Sequence, residues 1–191
     1  VMADLLARLA RDPGIEGIDI FAHSMGNWLT METLRQLAIA GDAKTLGRLG
    51  TIVMAAPDID MDVFRTQIAR LRPLAARIVL YPSRDDYALD LSRRLFGGKI
   101  RAGANTDLGQ FRALGIEAHD LSEVAGGIGR NHNKAFGDGT TIAAIGRAIA
   151  GGAGATKAGG STLNERFETL GRSVTLLGDA LIPGPPLGAS R

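Results

Sequence analysis

Three times before residue 97 a short apolar run, rich in β-branched side chains, gives way to a stretch of helical periodicity. Gly17 to Ala22 is followed by Trp28, Leu29, Met31, Leu34, Leu37 and Ala38 at helical spacing, closed by Gly41. Thr51 to Ala56 ends at Pro57 and leads to Val63, Phe64, Ile68 and Leu71 on one helical face. Arg77 to Tyr81 ends at Pro82 and leads to a helical pattern from Tyr87 to Phe96. Short buried strands alternating with helices build βαβ units, whose strands lie parallel in one sheet covered on both faces. The expected fold class is α/β with about four parallel strands and flanking helices. The fourth strand falls at Ile116 to Leu121, after a weaker helical stretch from Leu108 to Leu114, and a last helix spans Thr140 to Ala150. Val1, Met2, Leu5, Leu6 and Leu9 predict an opening helix, stopped by Asp12-Pro13-Gly14.

Glycine marks where the domain ends. Six of the 26 glycines lie before residue 97 and the other 20 after it, whereas Phe167 alone among the aromatic residues lies beyond Phe136. The reading is a domain over residues 1–150 and a flexible Gly/Ala/Pro-rich tail over 151–191, with a short amphipathic helix near Leu163 to Leu177. Lys and Arg number 22 against 20 Asp and Glu, interspersed, so there is no electrostatic case for nucleic acid or an anionic membrane. No run approaches the roughly 20 apolar residues of a membrane span. The absence of Cys excludes thiol catalysis and Cys-based zinc sites. Compartment stays open, with the cytoplasm as the default.

The segment Ile18 to Trp28 puts Ser24 on the shortest turn between an apolar strand and a helix. Such a turn lifts a hydroxyl above the sheet as a nucleophile, provided the residues two before and two after it are small. Those positions are Ala22 and Gly26, with His23 and Met25 between them and the serine, and the Met25 N–H would face a developing oxyanion. The competing reading makes Ser24 a helix N-cap and nothing more. A nucleophilic Ser needs a base. His23 adjoins it and reads as a packed flank, His119 reads as a strand residue, and His132 lies in the glycine-rich segment Gly126 to Asn133, where a loop can present it. The orienting acid belongs between Ser and His in the chain. Asp86, leading into an apolar helix start, ranks first, with Asp85 beside it and Asp58 after the second strand as alternatives; either of the pair could simply cap the following helix.

Other motifs fail. Asp58-Ile-Asp60-Met-Asp62 imitates a calcium loop but has Val63 where Gly is needed and Ala69 where the closing Glu belongs. The glycines at 126–129 have neither dinucleotide nor P-loop spacing, and no zinc motif is present. No cofactor or metal is expected. Arg93, Arg94, Lys99 and Arg101 read as a solvated basic face, with Arg101 and Asp58 the candidates for contacting substrate.

The segments AHSMGN at 22–27, AAPD at 55–58, YPSRDDYALDLSRRLFGG at 81–98 and RAG at 101–103 together resemble a bacterial α/β-hydrolase family of unknown function in the esterase/lipase superfamily, over about residues 15–135. The resemblance implies a triad of Ser24, Asp86 and His132 and hydrolysis of an unnamed substrate. The expectation is a serine hydrolase of ester-like acyl bonds acting on a small molecule, with lipase, carboxylesterase and thioesterase undivided. The alternative is a catalytically silent scaffold, or an inactive fragment serving as a binding module. A fold of that kind sets several strands before the elbow strand, and only about 17 residues precede it here. The chain therefore reads as the C-terminal portion of such a fold, whose strand at 17–22 has an unpaired apolar edge open to self-association.

Overall fold

A computed structural model describes residues 1–124, 131–137 and 139–151. The tail readings at 151–191, apart from residue 151, and most of the glycine-rich loop lie outside the described residues. In chain order the elements are α1 (Met2–Leu9), β1 (Ile18–His23), α2 (Met25–Ile39), α3 (Ala43–Arg48), β2 (Leu49–Ala55), α4 (Met61–Arg70), α5 (Arg72–Ala75), β3 (Ile78–Tyr81), α6 (Tyr87–Leu95), a 3-10 turn (Ala102–Ala104), α7 (Leu108–Ala113), β4 (Glu117–Ala118), α8 (Lys134–Gly137) and α9 (Gly139–Gly151). The strands form one parallel sheet in the order β1-β2-β3-β4.

Aspartates start four of the helices. Asp42, Asp60, Asp86 and Asp107 each accept a backbone N–H from the first turn of α3, α4, α6 and α7, which satisfies donors that a helix cannot pair internally. The two central strands are buried on both faces. Ile52, Met54, Ile78 and Leu80 pack with Phe64, Ile68, Leu34 and Phe111 on one side, while Val53, Ala55, Val79 and Tyr81 pack with Leu121, Ala135 and Ile145 on the other.

Three expectations need correcting. The strand at 17–22 is buried on one face only: Ile18, Ile20 and Ala22 point inward, and Asp19 and Phe21 outward, with the Phe136 ring of α8 lying 5.3 Å from that of Phe21. In α2 the apolar residues do not all share the buried face. Met31, Leu34 and Leu37 are buried with Asn27, Thr30 and Thr33, whereas Trp28 and Leu29 are exposed. Thr30 and Thr33 can turn inward because each hydroxyl bonds the carbonyl four residues back. The fourth strand is two residues long rather than six; backbone bonds His119 N to Leu80 O and Leu121 N to Pro82 O carry its contact with β3 onward irregularly.

Candidate active site

β1 passes into α2 through one residue. Ser24 has φ 53° and ψ −126°, a backbone conformation that residues with a Cβ avoid at a cost of roughly 1–3 kcal/mol. Its carbonyl secures the turn, accepting from Asn27 N at 3.1 Å, Asn27 Nδ2 at 3.1 Å and Asp58 N at 3.4 Å, while Ser24 N donates to Ala55 O at 3.1 Å. Asn27 is fully buried and also donates to Ala55 O at 2.9 Å, so the elbow is pinned to the C-terminal end of β2. Ser24 occupies the N-cap position, yet its side chain makes no capping bond. Its hydroxyl is thus not spent on the helix. The Met25 N–H is the first of α2, one of those that have no acceptor within the helix.

Among the described residues the other non-glycine positions with positive φ are Ala56 (43°) and Asn131 (67°). Ala56 precedes Pro57-Asp58 at the end of β2, and Asn131 precedes His132. Strained backbone therefore gathers around one end of the sheet, as it does at functional sites.

His132 is brought to this end in part by Asp86, the acid ranked first from the sequence. Its Nδ1 lies 2.9 and 2.8 Å from the two carboxylate oxygens of Asp86. Asp86, 1% exposed, also accepts from Ala88 N and Leu89 N at 3.0 and 3.1 Å. Capping α6 and holding the imidazole are thus one side chain's two tasks rather than alternatives. The hydrogen bond to Asp86 raises the His132 pKa above the ordinary histidine value; burial opposes this, and the negative charges of Asp86 and Asp58 add to it. His23 Nε2 meets the His132 carbonyl at 3.0 Å, with the two rings 4.7 Å apart, so the histidine next to Ser24 braces the segment that carries His132.

The family model for alpha/beta hydrolase of unknown function (DUF900) matches residues 1–146. The chain belongs to that family. No curated protein and no solved structure matches it.

In this DUF900 chain the two alternative acids are otherwise engaged. Asp85 accepts from Lys134 Nζ at 2.7 and 2.8 Å, from Ser83 Oγ at 2.5 Å and from Asn131 Nδ2 at 2.9 Å. Burial would raise its pKa, but the bonds from Lys134 and Ser83 prevail and hold it below the usual carboxylate value. Lys134 is buried and also donates to Leu121 O and Ser122 O, which tethers the start of α8, two residues past His132. Asp58 is held by Ser92 and Arg101. His119 pairs with Glu117 at 2.8 Å and stacks on Tyr81 at 5.5 Å, away from the elbow. Among the described residues no acidic or histidine cluster is arranged to hold a metal, and no helix is long and apolar enough to cross a membrane.

The segment Arg101-Ala102-Gly103 staples the loop bearing Asp58 to the loop bearing Asp85 and Asp86. Ala102 N and Gly103 N donate to Ile59 O and Pro57 O at 2.8 and 2.9 Å, and Gly103 O accepts from Ser83 N at 2.7 Å. A Cβ at Gly103 would lie 2.6 Å from Ala56 C and Pro57 N, whereas one at Gly26 would meet nothing within 4 Å. The described neighbours thus impose no small residue at 26, contrary to the sequence reading, and impose one at 103. Gly103→Ala is expected to cost about 1–3 kcal/mol or more by overpacking, while Gly26→Ala is expected to leave stability equal or higher; thermal unfolding of both variants checks the contrast.

Proposed function

We propose that this chain is a serine hydrolase of ester-like acyl substrates. The observation that carries the reading is the His132–Asp86 contact at the same sheet end as a serine held at positive φ with no capping bond. In the mechanism, Ser24 Oγ attacks the acyl carbonyl as His132 Nε2 takes its proton, giving a tetrahedral oxyanion. The Met25 N–H supplies one donor to that oxyanion. His132 then returns the proton to the departing alkoxide, the C–O bond breaks, and the acyl group remains on Ser24. Water, deprotonated by His132, attacks the acyl-enzyme; the bond between the acyl carbon and Ser24 Oγ then breaks, His132 returns the proton to Oγ, and the acid leaves. Asp86 keeps the proton on Nδ1, leaving Nε2 free to accept, and compensates the imidazolium that forms.

A fluorophosphonate probe tests this directly. A covalent adduct on Ser24, mapped by peptide mass spectrometry and absent from Ser24→Ala, is the expected result. A folded chain with no adduct at Ser24 would instead favour the silent scaffold.

The base works only when neutral, and its pKa lies above the ordinary histidine value. The acidic limb of kcat/KM is therefore expected above about pH 6.5. A profile flat down to pH 5 would remove His132 from the base role.

A further inference from the structure

Two carboxylates flank the elbow from successive strands, and His132 engages one of them. Asp58 follows β2, and its N–H reaches Ser24 O. Its side chain, 11% exposed, is taken up from the other side: Ser92 Oγ on α6 lies 2.8 and 2.9 Å from its oxygens, and Arg101 Nε lies 3.2 Å from Oδ1. Arg101 is enclosed as well, with Nη2 3.4 Å from Ser92 O and the guanidinium 5.8 Å from the Phe96 ring centroid. Its Nε is buried without an aligned hydrogen bond, so the link to Asp58 is one of charge.

We propose that Arg101 and Ser92 are positioning residues for the base: they hold and neutralise the Asp58 carboxylate, leaving Asp86 as the carboxylate partner of His132. The catalytic meaning of this rests on the hydrolase reading; the electrostatic claim does not. An adjacent cation and anion largely cancel at a third group, whereas a bare, mostly buried carboxylate acts with little solvent screening. The charge of Asp58 already contributes to the elevation of His132. The other titratable groups around the ring are Asp86 from the start of α6, His23 from the end of β1, and, on its own segment, Lys134, which is paired with Asp85.

The test is an NMR pH titration of the imidazoles in the full chain, His132 being assigned with His23→Gln and His119→Gln. Arg101→Gln is expected to move the His132 midpoint to higher pH, Arg101→Lys to leave it near its original position, and Asp58→Asn to lower it. The double variant Asp58→Asn/Arg101→Gln should return the midpoint close to that of the unaltered chain, because the two opposite charges it removes largely cancel at the ring. No shift in a folded Arg101→Gln chain, or a double variant whose midpoint stays with that of either single variant, overturns the proposal. Should Arg101→Gln fail to fold, Asp58→Asn alone carries the test, leaving the Arg101 cation unpaired beside the ring; a His132 midpoint that does not fall overturns the proposal. The acidic limb of ester turnover should follow the midpoint. If the cycle holds while no variant labels with fluorophosphonate, the hydrolase reading fails and the positioning device stands.

Discussion

Replacing His132 by alanine is expected to lower ester turnover by roughly 10⁴- to 10⁶-fold, the usual range for loss of a base whose nucleophile is otherwise a neutral hydroxyl. The chain should still fold. The contact between His23 and residue 132 uses the backbone carbonyl, which alanine retains, and Asp86 keeps its two bonds from the first turn of α6. Ser24→Ala should lose a similar factor, and the double variant little more, because residues acting as one unit are not additive. Single-turnover acylation by an activated ester measures all three. Turnover by His132→Ala within tenfold of the unaltered chain would eliminate it as the base, and His23, the nearest imidazole to Ser24 in the chain, would be examined next.

The same contacts give the site opposed pH dependences. A raised His132 pKa in the folded chain means that protonated His132 adds stability through Asp86 below the ordinary histidine value. That contribution is lost as pH rises through the raised value. Deprotonation is also what activates the base. The segment presenting His132 is thus held most firmly where the proposed chemistry is slowest, and Lys134, bonded to Asp85 and two backbone carbonyls, supplies a second anchor beside it.

Much of this was legible in the chain itself, and the parts that were not share a cause. Periodicity identified β1, β2, β3 and the helices after them because long apolar stripes report a local environment. It missed α3, α5 and α8, of six, four and four residues, since a single turn carries no period. It also assigned Trp28 and Leu29 to a core that takes Thr30 and Thr33 instead, because a threonine bonded back to its own helix reads as polar in sequence and packs as apolar. At the site, spacing and turn chemistry led to Ser24, Asp86 and His132. Asn27, Ser92 and Lys134 were invisible, being polar residues whose partners lie 28, 34 and 49 positions away. For Asn27 one signal existed: a carboxamide on the inward side of α2 asks for buried partners.

Asp86 is the position where rate and stability should separate most cleanly. Asp86→Asn keeps an oxygen acceptor for Ala88 N and Leu89 N, and asparagine caps helices about as well as aspartate, so unfolding should move little. Its amide group, however, turns N–H toward His132 Nδ1 and drives the proton to Nε2, the atom that must receive the serine proton. Loss of the correct tautomer is expected to lower kcat by about 10⁴-fold. Asp86→Ala should lose a comparable factor in rate and in addition about 0.5–2 kcal/mol of stability with the cap. Asp85→Asn should show the reverse pattern. It weakens the hold on buried Lys134, and so the docking of α8, with a smaller effect on rate once the chain is folded. Denaturant unfolding and pre-steady-state acylation on these three variants and on Asp58→Asn read both axes. If Asp86→Asn kept its rate while Asp85→Asn or Asp58→Asn lost it, the orienting acid would be reassigned to that residue, and the Asp86–His132 bond would be structural.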